Sequence, residues 1–210
     1  MLASGSTYRA ALAAELAAEV GAELVVVRPE VDERALDHRL DPHEPGVHAV
    51  ALARAKAAAA TERLVVDDRP TVVVGADQML VADGPTGPEV LHQPGTVERA
   101  VAQLVALSGR THRLVNGVVV HDVATGRTVA EADVHHMTMR PFTDAEARDY
   151  VERFLPLDCV GAYRIEDDAD LLIEAVGEDR SGVIGLPLPT VRRLLGALGW
   201  PAPTVGPGSP

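Results

Sequence analysis

The chain has 210 residues, of which 47% are hydrophobic and only 3% aromatic, so Ala, Val and Leu have to form its core. The formal net charge of −12 argues against binding to nucleic acid or to an anionic membrane, because both need a basic surface. One cysteine, Cys159, excludes an intrachain disulfide framework and a Cys-rich zinc module. Glu15 and Glu19 interrupt the first apolar residues, and no uncharged apolar run approaches the ~20 residues that span a bilayer. We therefore expect a cytoplasmic protein.

Apolar periodicity predicts helices and strands that alternate along the chain, which is typical of an α/β fold. Helices are predicted near residues 7–20, 47–62, 97–107, 143–154 and 190–198, and strands near 23–27, 71–76, 113–121, 127–140 and 171–176. The helix near 143–154 begins with a capping box at Thr143 and Glu146. We expect one domain over residues 1–200 and a disordered tail over 201–210, which is rich in Pro, Gly and Ser.

Residues 2–9 are the first segment with chemical character: an apolar start, then small hydroxyl and glycine residues, then Arg9 at the start of a helix. One apolar stripe on that helix is predicted by residues four positions apart, namely Tyr8, Leu12, Leu16 and Val20. A Ser/Gly loop that enters a helix offers backbone N–H groups to an anion, and a guanidinium can bind two phosphate oxygens at once. Ser4, Ser6 and Arg9 are therefore candidate phosphate-binding residues. A helix cap with one solvated Arg is the alternative interpretation.

Residues 73–78 form a second such segment, an apolar run that is predicted to be a strand and to end in Asp77. Strand ends carry the chemistry of many α/β proteins, so we expect Asp77 at the edge of the sheet. Asp32 and Glu33 are further carboxylate candidates, although acidic residues also favour the first turn of a helix. Paired carboxylates bind Mg²⁺ through oxygen and can orient or deprotonate an attacking water. Lys56 is a lone cation in an Ala-rich helix, where a surface position is the ordinary interpretation.

Other reactive residues and motifs give weaker indications. A lone Cys is usually buried and inert, although Cys159 together with a His would be the basis of a thiol hydrolase. His135 and His136 are adjacent in a predicted strand, so their rings point to opposite faces and cannot form a simple chelate. The glycine-rich motifs typical of P-loop ATPases and of dinucleotide-binding proteins are both missing from the sequence.

Six segments, in their order along the chain, resemble the Maf-like nucleoside triphosphate pyrophosphatases: residues 2–9, 29–33, 52–57, 74–78, 107–112 and 185–188. The resemblance runs from residue 2 to about residue 195. It implies a mixed, twisted sheet with flanking helices and two lobes around a central cleft, in a protein that is often a homodimer. It also implies hydrolysis of the α–β phosphoanhydride of a nucleoside triphosphate to a nucleoside monophosphate and pyrophosphate, with Mg²⁺ or Mn²⁺ as cofactor.

The resemblance further implies roles for the candidate residues. Ser4, Ser6, Arg9 and Lys56 would hold the triphosphate, with Lys56 as part of the catalytic group. Glu33 and Asp77 would bind the metal, and Asp77 would act as general base for the attacking water.

Within the family, the chain is most similar to the branch that acts on 7-methyl-GTP, on the basis of Tyr8, Gln78 and Glu166. N7-methylation makes guanine cationic, so an aromatic face and a nearby carboxylate both favour it. Packing in the core is the alternative interpretation of Tyr8, because it lies on the apolar stripe. A dTTP or UTP pyrophosphatase is the alternative for the substrate.

One departure from the family pattern bears on activity. The segment His92-Gln93-Pro94 stands where the family has Gly-Lys-Pro, so Gln93 replaces a catalytic Lys. Gln can still donate a hydrogen bond to a phosphate as a substrate-binding residue, but charged hydrogen bonds are roughly twice as strong. A nucleotide-binding or regulatory protein of the same fold with weakened catalysis is therefore the second hypothesis. His92 is the first candidate for a compensating group.

Overall fold

The computed structural model of the chain describes residues 1–37, 41–64, 69–176 and 179–201. Its strands are β1 (Leu2–Ala3), β2 (Val26–Val27), β3 (Val72–Gly84), β4 (Gly87–Leu91), β5 (Thr111–Asp122), β6 (Thr128–Met139) and β7 (Ile173–Val176). Its helices are α1 (Thr7–Glu19), α2 (Glu33–Asp37), α3 (Pro45–Thr61), α4 (Val97–Leu107), α5 (Asp144–Phe154), α6 (Arg180–Ile184) and α7 (Leu188–Ala197), with short 3₁₀ turns at Val160–Ala162 and Ala169–Leu171.

The α/β class with a mixed sheet is confirmed, and the predicted helices and strands are present with small shifts of their ends. The capping box that begins α5 is formed by Thr143 and Glu146 as predicted. Residues 202–210, where a disordered tail is predicted, lie outside the described residues, and the domain boundary near residue 200 stays a prediction. None of the described helices is both long and apolar enough to cross a membrane.

Across the described residues the strands form one seven-stranded sheet in the order β2-β1-β3-β5-β6-β7, with β4 paired to β3 outside that order. β1 is parallel to β2 and to β3. The pairs that β3 forms with β4 and β5 are antiparallel, as are the pairs that link β5, β6 and β7.

One edge of β3 is interrupted. β1 and β4 both pair with this edge, because β5 occupies the other one. β1 ends at Ala3, opposite Gly75, and β4 ends at Leu91, opposite Leu80. Among the described residues, those of β3 in between have no strand partner on this edge. Five residue steps of a strand span about 16 Å, so β1 and β4 leave a gap that can admit a ligand.

Alternating side chains of the long strands pack against different helices. α3 covers one face of the sheet, around Val73. On the other face, α1 and α7 pack at the β1 end around Val118, whereas α4 and α5 pack at the β4 end around Leu80. Gln78 and Asn116 lie opposite each other between these two clusters, so the second face carries polar side chains at the level of the gap.

Two glycines let α3 lie close against the sheet. A Cβ at Gly75 would lie 2.3 Å from the carbonyl oxygen of Ala53, and one at Gly117 would lie 2.1 Å from the backbone of Ala49. Any side chain at either position would push the helix away. The close approach brings Lys56, one helical turn after Ala53, to the level of the gap in β3.

Candidate active site

The gap in the edge of β3 opens into a cleft of about 1570 Å³. Every candidate residue from the sequence lines it: Ser4, Ser6, Tyr8, Arg9, Glu33, Lys56, Asp77, Gln78, Gln93 and Glu166. The fold therefore brings together in one cavity segments that lie far apart along the chain.

The loop after β1 is shaped by its own serines. The Ser4 side chain is buried, and its Oγ accepts a hydrogen bond from the backbone N–H of Ser6 at 3.1 Å. Ser6 is the N-cap of α1, and its Oγ accepts from the backbone N–H of Arg9 at 3.3 Å. The helix cap of the alternative interpretation is thus present, in a loop that lines the cleft.

Arg9 is not a solvated surface residue. Its Nη1 donates to the backbone carbonyl of Ala76 at 3.0 Å. Its guanidinium also packs against Gly185, where φ is 104° and a Cβ would lie 2.8 Å from Nε and 2.9 Å from Nη2. Burial lowers the pKa of Arg9, an effect that the charges of Asp77 and Glu33 oppose, and a guanidinium stays cationic under such shifts. Arg9 is therefore a fixed positive charge in the cleft.

Lys56 lies between two carboxylates. Its Nζ is 2.5 Å from Oδ1 of Asp77 and 2.8 Å from Oε1 of Glu33. The side chains of Lys56 and Asp77 are only 12% and 10% exposed, whereas Glu33, at 53%, reaches the group from solvent. The ordinary interpretation of Lys56 as a surface residue is therefore wrong.

The expectation that Asp77 ends a strand is also wrong. β3 continues past it to Gly84, because the later part of the strand pairs with β4. What ends near Asp77 is the pairing of β3 with β1, which stops at Gly75. Asp77 thus lies at the interrupted part of the strand's edge. Glu33 is the first residue of α2, so it occupies a helix start and lines the cleft at once.

The carboxylates of Glu33 and Asp77 fit a divalent cation. Both contact the same ammonium group, so their oxygens converge on one point that already holds a positive charge. Carboxylate oxygens are the ligands that Mg²⁺ and Mn²⁺ prefer, and Mg²⁺ often takes one or two of them together with substrate phosphates. No cluster of three or more His, Cys, Asp or Glu side chains suited to a metal occurs within the described part of the chain. A metal here would thus depend on oxygens from the substrate or from water.

Tyr8, Arg164 and Glu166 lie on one wall of the cleft. The Tyr8 side chain is 39% exposed, so core packing is the wrong interpretation of this residue. The guanidinium carbon of Arg164 lies 6.0 Å from the centre of the Tyr8 ring. Arg164 is itself paired with Asp158 at 2.6 Å and Asp167 at 3.0 Å, which fixes its position beside the ring.

Gln78 ties the sheet to α6. Its Nε2 donates to the backbone carbonyls of Gly182 at 3.1 Å and Val183 at 3.0 Å. Asn116 donates to the same carbonyl of Gly182 at 2.9 Å. Because both amide hydrogens of Gln78 have partners, its carbonyl oxygen is the atom it has left to offer a ligand.

The thiol and the paired histidines do not form a second reactive centre. Burial raises the pKa of the Cys159 thiol to about 11, although the neighbouring Arg164 opposes the shift. The thiol is therefore protonated at neutral pH, which disfavours a thiol hydrolase. His135 is buried and His136 exposed, on opposite faces of β6 as predicted.

His92 and Gln93 follow β4 and are exposed on the cleft wall. The backbone carbonyl of His92 accepts a hydrogen bond from Nε2 of Gln103, in α4, at 2.8 Å. This segment contributes an imidazole and an amide to the cleft, but no permanent charge.

Sequence reasoning missed three arginines that also line the cleft, Arg28, Arg99 and Arg164. Arg28 directly follows β2. Residues just after a parallel strand often belong to a binding site, so this position could have identified Arg28 from the sequence. Arg99 has the sequence surroundings of a solvated helix residue, so only the tertiary structure shows its place.

Known proteins resemble this chain over almost its whole length. A family model described as "Maf-like protein" matches residues 1–198. A 7-methyl-GTP pyrophosphatase of Burkholderia thailandensis is 37% identical over 203 residues, which is 96% of this chain and 88% of the relative. A nucleoside triphosphate pyrophosphatase of Corynebacterium aurimucosum is 36% identical over 180 residues, or 85% of each protein. A 7-methyl-GTP pyrophosphatase of Bdellovibrio bacteriovorus is 30% identical over 196 residues, which is 93% of this chain and 94% of the relative. The chain belongs to the Maf-like protein family.

Proposed function

We propose that this chain hydrolyses the α–β phosphoanhydride of nucleoside triphosphates and releases a nucleoside monophosphate and pyrophosphate. The observation that carries this proposal is the ammonium of Lys56 held between Glu33 and Asp77, in a cleft that is also lined by the Ser4–Arg9 loop. The names of the similar proteins support the same reaction.

The triphosphate is bound by local cations, because the net charge of −12 repels it at long range. Arg9 offers a fixed guanidinium, and the loop of Ser4 and Ser6 offers backbone N–H groups at the start of α1. Lys56 adds an ammonium beside the two carboxylates. These groups position the phosphate chain over the gap in β3.

Asp77 acts as the general base. Its carboxylate takes a proton from a water molecule, and the water oxygen forms a bond to the α-phosphorus. The bond from that phosphorus to the bridging oxygen breaks, and its electron pair leaves with pyrophosphate. Glu33 and Asp77 would hold Mg²⁺ or Mn²⁺, which when bound neutralises charge on the phosphate oxygens.

We propose 7-methyl-GTP as the preferred substrate. The half-exposed ring of Tyr8 and the carboxylate of Glu166 on the same wall suit a cationic purine. The carbonyl oxygen of Gln78 is an acceptor for an N–H group on the base edge. Relatives named for 7-methyl-GTP support this choice over dTTP or UTP.

Gln93 favours a second candidate function, that of a nucleotide-binding or regulatory protein with weakened turnover. The segment of His92 and Gln93 offers a hydrogen bond to the phosphates and no permanent charge of its own. Such a protein would bind 7-methyl-GTP and release little pyrophosphate.

A panel of triphosphates tests both candidates. Purified protein is given 7-methyl-GTP, GTP, dTTP or UTP with Mg²⁺ or Mn²⁺, and released pyrophosphate is measured beside binding of the same nucleotides. Release of pyrophosphate in excess over enzyme supports the pyrophosphatase. Tight binding without release of pyrophosphate supports the regulatory protein. The absence of both binding and release would refute both candidate functions.

We also propose a homodimer, on the basis of the family resemblance, and a cytoplasmic location, on the basis of the sequence. Light scattering of the purified protein tests the first, because a dimer would have twice the chain mass of 22.1 kDa.

A further inference from the structure

Arg99 lines the β4 side of the cleft and is not among the site residues predicted from the sequence. Arg99 lies in the first turn of α4, and Gln103 follows it by four positions, so both lie on the same face of the helix. The Gln103 side chain contacts the backbone of His92, and Arg99 lines the same cleft as His92 and Gln93. This face of α4 therefore lies against the segment that follows β4.

Among the other cations of the cleft, Lys56, Arg164 and Arg9 are already engaged, and Arg28 follows β2, on the β1 side of the gap. Lys56 contacts two carboxylates, and Arg164 contacts two more. Arg9 is half-buried and donates to a backbone carbonyl. Within the described residues, the guanidinium of Arg99 has neither an acidic partner nor a hydrogen-bond acceptor, and the residue is exposed. Its charge is free for a ligand.

The interrupted edge of β3 places this charge relative to the first loop. The Ser4–Arg9 loop leaves the sheet where β1 ends, and the segment with Gln93 leaves it where β4 ends. These two points flank the part of β3 that carries Asp77. A phosphate chain over Asp77 would thus have cationic groups on the β1 side and, without Arg99, only an amide and an imidazole on the β4 side.

We propose that Arg99 binds phosphate oxygens of the triphosphate from the β4 side of the gap and supplies there the permanent charge that Gln93 lacks. This inference rests on the proposed function. A guanidinium is charged at every physiological pH and forms paired hydrogen bonds with phosphate oxygens, which an amide cannot match in strength. Arg99 is in this view a substrate-binding residue that acts on both the ground state and the leaving pyrophosphate.

Inorganic pyrophosphate is the probe, because its binding can be measured by calorimetry without any turnover. We expect Arg99→Gln to weaken pyrophosphate binding about tenfold and to raise KM for the triphosphate by a similar factor. Arg54→Gln is the matched control, since Arg54 is an exposed arginine of α3 outside the cleft and its loss changes the net charge equally. Gln93→Lys in the Arg99→Gln background should restore most of the affinity, because it returns a cation to the same wall.

Four results would overturn the inference. Pyrophosphate binding that is unchanged in a folded Arg99→Gln variant would exclude a contact with phosphate. An equal loss of pyrophosphate affinity in Arg54→Gln would show that the effect comes from net charge alone. If Gln93→Lys does not restore the affinity of the Arg99→Gln variant, Arg99 has a structural role instead. A His92→Gln variant that alone reproduces the loss would assign the role to His92. If no triphosphate is hydrolysed, the proposed function fails, and the pyrophosphate titration still decides the role of Arg99.

Discussion

Replacement of Asp77 by Asn removes one negative charge and leaves the size of the side chain unchanged. The oxygen that accepts from Lys56 at 2.5 Å becomes an amide oxygen, and Glu33 stays within 2.8 Å of the ammonium. The Lys56 ammonium keeps its charge and keeps Glu33 as a counter-ion, so only the ionic part of one hydrogen bond is lost, and we expect a loss of about 1 kcal/mol in the free energy of unfolding. For a domain of this size that lowers Tm by roughly 2–4 °C.

The expected effect on turnover is larger. An amide cannot accept the proton of the attacking water, and loss of a general base lowers rates by about 10²-fold or more. A hundredfold loss corresponds to about 2.7 kcal/mol in the activation barrier. Pyrophosphate release at saturating triphosphate and thermal unfolding of the same preparation separate the two effects.

One result would refute the assignment of Asp77 as the general base. The thermal unfolding transition first shows whether Asp77→Asn is folded. A folded variant that retains most of its activity would remove Asp77 from the mechanism. Glu33→Gln should behave similarly, whereas a lower Tm without a specific loss of turnover would make Glu33 structural.

Four further substitutions test other parts of the site. Gln93→Lys should raise kcat by placing a second cation beside Arg99 on the β4 side of the cleft, and an unchanged or lower kcat would mean that Arg99 or His92 already supplies all the charge that this side needs. Tyr8→Ala and Glu166→Gln should each reduce the preference for 7-methyl-GTP over GTP, dTTP and UTP. We expect this preference to be worth ~1–3 kcal/mol, or roughly ten- to a hundredfold. If the unmodified protein hydrolyses dTTP as well as 7-methyl-GTP, the assignment of the base is wrong. Gly185→Ala should raise KM for the triphosphate, because a φ of 104° strains an L side chain by about 1–3 kcal/mol and the new Cβ would contact the guanidinium of Arg9. Gly196→Ala is the control that should leave KM unchanged, because no heavy atom lies within 4 Å of its added Cβ.

Local signals predicted the five longer helices but missed the short helix α6. Caps at Ser6, Thr96 and Thr143 mark where α1, α4 and α5 begin, and each side chain accepts a hydrogen bond from the first turn. β4 was missed because Gly87 and Pro88 interrupt its pattern, and it forms through its pairing with β3, a tertiary contact. The strand end predicted before Asp77 was wrong for the same reason.

The candidate site was predictable to the extent that each residue stands in a short motif. Tyr8 shows the limit of periodicity, because it continues the apolar stripe of α1 and yet its ring faces the cleft. Arg99 and Arg164 carry no local signal, since their positions depend on how α4 and the turn at Val160–Ala162 meet β3 and β4. Whether a cation of the cleft pairs with an acidic side chain or stays free also depends on the tertiary structure.

The length of the β3–β4 hairpin determines the size of the gap in the edge of β3, and therefore the size of the ligand that the gap admits. β4 ends opposite Leu80, and this register sets how far the segment with His92 stands from the end of β1. A slip of two residues keeps every side chain on its own face and moves that segment by about 6.6 Å. Changes in the β3–β4 turn can therefore widen or narrow the cleft while Lys56, Glu33 and Asp77 keep their places, so substrate size and reaction chemistry can vary independently in this fold.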